Sequence, residues 1–192
     1  MKKLLYLLII VLLVPLISCE NKPSQLNKKA PVPQKIQKSF YGMTLGKTKL
    51  TQGEDILLKN GINYQVVDGF GEIALDVIEP MTFGEVQWEF EEFVFTNNVL
   101  YQVSFMIDST SVNFSKTERA SICKKLLNNL KKKYPKYKIT KEKVTDTETD
   151  TNFKAADKWC HVYLSYSNDN YMICLMYSIN SDKINKLIPS DL

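Results

Sequence analysis

Arginine and histidine are almost missing from this chain: its 192 residues include one arginine, Arg119, and one histidine, His161. Arginine supplies the planar fork that grips phosphate, carboxylate or guanine, and histidine is the usual general base and a common metal ligand. Their scarcity argues against a nuclease, a kinase-like phosphotransferase and a zinc enzyme. Glycine and proline are sparse too, at seven each, while 44% of the residues are hydrophobic and 24% charged. That composition excludes a collagen-like repeat, a disordered chain and a coiled coil. No apolar run reaches the roughly 20 residues that span a bilayer core. Positive charge is carried by lysine, and the formal net charge is +4. What remains fits one folded unit with an appended tail.

Lys2 and Lys3 precede an apolar run from Leu4 to Val14, which has the length of a signal-peptide core. The run ends at Pro15, and Leu16-Ile17-Ser18-Cys19 follows. These four residues resemble the lipobox of bacterial lipoproteins, with leucine three before the cysteine and a small residue one before it. Ile17 is bulkier than the commonest residue at its position. The resemblance implies a signal peptide at residues 1–18 that is removed, and a Cys19 thiol that is diacylated. Cys19 then becomes the acylated first residue and holds the protein on the membrane through its N-terminal lipid. Glu20 stands where inner-membrane retention in enteric bacteria uses aspartate, which implies a bacterial cell-envelope protein on the outer rather than the inner membrane. Residues 20–38 are polar and contain Pro23, Pro31 and Pro33. With Cys19 they read as a lipidated, flexible tether of residues 19–38, reaching about 60 Å when extended. The folded domain is expected over residues 39–192.

Two units of similar order are legible within it, residues 40–107 and 114–179. In the first, Thr51-Gln52-Gly53-Glu54 has the spacing of a capping box, with Thr48 as an earlier start, and Asn60-Gly61 provides the stop. Strand-like runs follow at Ile62–Val67, Ile73–Ile78, Val86–Phe95 and Val99–Ile107, the last with clean alternation. Glu91-Glu92 interrupts the apolar alternation of the third run, and a β-bulge there would restore it. In the second unit, Ser115-Lys116-Thr117-Glu118 is another capping box, and Ile122, Cys123, Leu126, Leu127 and Leu130 share one helix face. Tyr137–Val144 reads as a strand and Thr145–Asn152 as a polar connection. A hairpin follows with arms Trp159–Tyr166 and Tyr171–Tyr177, and Ser181–Leu187 is a short helical tail. The expected fold class is α+β, with helices packed on one face of an antiparallel sheet, arranged as a tandem helix-plus-meander repeat.

Gly46 before the first helix, the Gly61 stop, and the Asn97-Asn98 turn with Leu100 and Val103 after it give this pattern its few landmarks. On a secreted tether, it resembles the beta-lactamase-inhibitor-protein and BamE/SmpA-like group of small envelope proteins. The resemblance spans roughly residues 40–179 and is one of architecture. It implies a binding or assembly role without catalysis, and an envelope protein as partner.

Cys160 and His161 are neighbours on an expected strand, so they point to opposite faces and cannot form a nucleophile–base pair. If Asp169-Asn170 forms the loop, residue 165 pairs with 174, and Cys160 and Cys174 fall on opposite faces. Cys123 faces the core and can meet whichever strand cysteine lies across from it; three buried free thiols are the other reading. Glu89 and Glu91 can share a strand face, which raises the alternative of an envelope hydrolase using paired carboxylates. Residues 124–143 hold nine lysines and one acid, Glu142. Lys124, Lys131 and Lys132 occupy the solvent face of the second helix, a basic contact surface for anionic lipid headgroups or an acidic partner. The arginine shortage and the compartment argue against nucleic acid. No cofactor or metal motif is present, and no catalytic residue is assigned.

Overall fold

A computed structural model describes residues 33–69, 71–108, 110, 113–144, 149–167 and 172–184, without the side chains of 141–144, 149 and 150. Cys19 and the signal and lipobox residues lie outside the described residues. Two short strands, β1 (Ser39–Phe40) and β2 (Met43–Thr44), lead into helix α1 (Leu50–Lys59). Then come β3 (Tyr64–Gly69), β4 (Glu72–Val77), β5 (Met81–Phe83), β6 (Val86–Trp88), β7 (Phe90–Thr96) and β8 (Val99–Ile107). Helix α2 (Lys116–Lys133) precedes β9 (Tyr137–Val144), β10 (Thr149–Ala156), β11 (Cys160–Tyr166) and β12 (Ile173–Ile179), and α3 (Ser181–Ile184) follows.

Eight strands form one antiparallel sheet in the order β3-β4-β7-β8-β12-β11-β10-β9. It consists of a meander from each half of the chain, joined where β8 pairs with β12. Strand is about twice as abundant as helix. The fold is therefore mainly β, which corrects the α+β expectation of helices packed on one face of a sheet as a tandem repeat. Part of the strand content is hidden in the sequence for a physical reason. Along β10 the core-facing positions are Thr151, Phe153 and Ala155, and only one of these is a large apolar residue, so the strand reads as a polar connection. The run Val86–Phe95 is likewise two strands rather than one, since β6 leaves the main sheet and pairs with β5.

Alternation along the strands sends one set of side chains inward. Val77, Glu91, Phe105, Leu175, Leu164 and Phe153 form one continuous cross-strand row on that side. Leu75, Phe93, Val103, Tyr177, Val162 and Ala155 form the next. These rows make up one core with Met43, Leu57, Trp88 and the α2 residues Cys123, Leu126, Leu127 and Leu130.

The helix starts differ in how they are capped. At α2 the Ser115 hydroxyl accepts from the Glu118 N–H, and the Glu118 carboxylate accepts from the Ser115 N–H at 2.7 Å, as the spacing predicts. At α1 the cap is Lys49 and the helix starts at Leu50, so the cap lies two residues ahead of the predicted Thr51. There Gln52 accepts from the Lys49 N–H at 3.0 Å, and Asn98 from the β7–β8 turn accepts from the Leu50 N–H at 3.1 Å. Asn98 has φ 62°, a left-handed conformation that asparagine tolerates. The residues before β1, read as tether, are bound to the domain. Ile36 is buried, its N–H donates to Asp157, and the Gln34 side chain bonds the backbone of Lys136 and Ala156.

Candidate binding face

The outward side chains of the sheet form a second set of rows. The central one runs Gln65, Asp76, Glu92, Ser104, Met176, Tyr163, Lys154 and Lys138, one residue from each strand across the full width. Beside it run Val67, Ala74, Val94, Gln102, Ser178, His161 and Ala156. None of these residues belongs to the core cluster, although Ala74, Val94, Ser104 and Ser178 are themselves buried. With strands about 4.8 Å apart the face is roughly 34 Å wide.

Its charge is graded. Asp76 and Glu92 are cross-strand neighbours at the β4–β7 end, and Glu72 lies further along β4 on the same side. The Glu92 carboxyl is raised above the usual carboxylate range by burial, then by the charges of Asp76 and Glu72, with a hydrogen bond from Ser104 opposing. Glu72 accepts from the Tyr101 hydroxyl at 2.8 Å. Tyr101 is the residue left over at the irregularity where Val94 pairs with Gln102 and Phe95 with Leu100. The middle of the face is uncharged. Tyr163 donates to Asn152 at 2.7 Å, and Ser165 donates to the same oxygen at 3.2 Å. His161 lies 3.1 Å from Asn180, and burial lowers its pKa from the usual value, with the Asn180 hydrogen bond opposing. Lys154 and Lys138, both exposed, close the other end beside a groove that also includes Lys136 and Tyr137.

The sequence-predicted residues fall elsewhere. Lys124 and Lys132 are exposed on α2 and Lys131 is half-buried there, while the adjacent Lys125 pairs with Glu85 at 2.9 Å. Glu89 and Glu91 are not brought together as a carboxylate pair. Glu89 precedes β7 and accepts from the Asp108 N–H and the Asn113 amide. Glu91 sits in the inward row, buried, and accepts from the Tyr41 hydroxyl. The bulge expected at Glu91-Glu92 is absent, because the inward set keeps its alternation by accepting a carboxyl group; the irregularity falls at Val94/Phe95 instead.

Ser165 pairs with Cys174, the register expected from the loop, and Cys160 and Cys174 face opposite sides of the sheet. Cys123, Cys160 and Cys174 are free thiols. The graded row escaped sequence reasoning because it joins residues from eight strands. Only the register between strands makes them neighbours, and no local pattern encodes it. Among the described residues, no group of three His, Cys, Asp or Glu could hold a metal ion, and no helix is long and apolar enough to cross a membrane. Compared with protein-family models, with curated proteins and with solved structures, the chain matches none.

Proposed function

We propose that this is a lipid-anchored cell-envelope protein that binds an envelope protein partner on the outward face of its sheet, without catalysis. The observation that carries the reading is the charge-graded row, with Asp76 and Glu92 at one end and Lys154 and Lys138 at the other. A partner with a cationic group over the acidic end and an acidic group over the lysines is selected in one orientation only. Between them Met176 and Tyr163 offer an adaptable apolar contact and an aromatic anchor, the residue types that concentrate binding energy. A face about 34 Å wide and, over seven-residue strands, about 24 Å long offers an area comparable with the roughly 800 Å² that each partner contributes to a standard interface.

The anchor is supported by the Leu16–Cys19 lipobox, and an outer-membrane address by Glu20 after the cysteine. The test places a photo-reactive side chain at Tyr163, on the outward face, or at Lys124, on α2. Protein adducts formed from position 163 and not from 124 support the reading. Adducts from 124 alone overturn it.

A further inference from the structure

At the turn between β10 and β11 the domain presents an exposed tryptophan among lysines. The chain has two tryptophans. Trp88 is fully buried, donating to the Phe83 carbonyl at 2.9 Å, whereas Trp159 is 44% exposed. Trp159 forms the wall between two grooves. One is lined by Lys38 and Lys47 among others, the second by Lys35, Lys38 and Lys158. A fifth lysine, Lys183, lies 6.0 Å from the Trp159 ring and is paired with Asp182. Among the described residues, the only carboxylate lining either groove is Asp157. It is already engaged by three backbone donors, the N–H groups of Ile36, Trp159 and Cys160, at 2.7–2.8 Å. The surface is therefore an exposed indole beside four lysines and one carboxylate, which leaves it net positive.

This is also where the chain enters the domain. Pro33 and Gln34 line the second groove, and Gln34 and Ile36 are fastened to the same turn. Only 14 positions separate Pro33 from Cys19, a span of at most about 50 Å even when fully extended. An acylated Cys19 would thus tether the domain to the bilayer from its Trp159 end. Indole rings concentrate at the level of lipid headgroups, and lysines beside them are attracted to anionic lipid.

We propose that the Trp159 end of the domain docks on an anionic lipid surface, with Trp159 at headgroup depth and Lys35, Lys38, Lys47 and Lys158 over the negative charge. The proposal rests on the lipid-anchor reading. It orients the domain, with the charge-graded sheet face left to the partner.

The test uses the natively acylated protein mixed with vesicles of phosphatidylcholine alone, or of phosphatidylcholine with phosphatidylglycerol, each carrying a nitroxide-labelled headgroup. Two quantities are read: flotation with the vesicles and quenching of tryptophan emission. Docking predicts quenching on the anionic vesicles that disappears in Trp159→Phe, where the buried Trp88 is the remaining emitter. Lys158→Ala and Lys47→Ala, both at exposed positions, each lower the docked-to-undocked ratio by about fivefold, and added salt does the same. Flotation with both vesicle types without quenching overturns docking and leaves the anchor standing. Flotation with the anionic vesicles alone supports docking and overturns the anchor. Flotation with neither overturns both. A photo-reactive group at Lys158 that captures a protein, in the absence of quenching, overturns docking by assigning this end to a protein partner.

Discussion

The Tyr41 hydroxyl stands 3.3 Å from Oε1 of Glu91, whose cross-strand neighbours are Val77 and Phe105. Glu91 is 1% exposed and its second oxygen has no hydrogen-bond partner. Burial pushes the carboxyl up to about 7, with the Tyr41 hydrogen bond opposing.

The sign of the resulting pH dependence follows. Between its unfolded value of 4.5 and its folded value of about 7, the folded protein binds more protons at Glu91 than the unfolded chain. Stability contributed by this group is therefore greatest at acid pH and declines as pH rises through 7, by ~3 kcal/mol in all. Glu91→Gln keeps the shape and removes the charge. Urea unfolding at pH 5 and pH 8 is expected to show Glu91→Gln close to the parent at pH 5 and more stable at pH 8.

Gly53 lies within α1, buried, where a Cβ would stand 2.8 Å from Cζ of Phe95 and 3.4 Å from the Met43 sulfur. In an exposed helix, Gly→Ala stabilises by about 1 kcal/mol. Here the clash reverses the sign, and Gly53→Ala is expected to destabilise by about 1–3 kcal/mol. A double-mutant cycle with Phe95→Leu checks the cause. Loss of the ring should relieve the alanine penalty, and strictly additive effects would contradict the contact.

The three domain cysteines test the packing chemically. Burial pushes the Cys123 thiol up to about 12 and those of Cys160 and Cys174 to about 11. Neutral thiols are poor nucleophiles. In a Cys19→Ala chain, a thiol reagent at pH 8 is expected to react slowly in the folded state and to count three thiols after unfolding. A count of one would show a disulfide.

Processing at the lipobox is read by mass. The mature protein is expected to begin at Cys19 with its acyl chains attached, and Cys19→Ala to incorporate no labelled fatty acid. An unlabelled parent cut at another residue would contradict the anchor.

Much of the local structure was legible in the chain, because it depends on neighbours in sequence. The Ser115–Glu118 box, the apolar stripe of α2 and the alternation of β8 all appear where their spacing put them. The cap of α1 was not legible, since its Leu50 N–H is satisfied by Asn98, 48 residues away. Glu91 reads as sharing a strand face with Glu89, because no local pattern distinguishes a carboxyl group in the core row from one outside it. β10 was hidden by its small and polar inward residues, and without it the sheet could not be counted. The candidate face was invisible for a related reason. Asp76, Glu92, Met176, Tyr163 and Lys154 become neighbours only through the register of successive strands.

The most direct measurement is cross-linking of the natively acylated protein in its own membranes, followed by mass spectrometry of what co-purifies. Lys154→Glu, exposed on the basic end of the face, and the unanchored Cys19→Ala run beside it. The account predicts one stoichiometric envelope protein that survives detergent, is depleted by Lys154→Glu and is lost with Cys19→Ala. Correctly acylated protein that captures no partner, or one whose partner is untouched by Lys154→Glu, would contradict it.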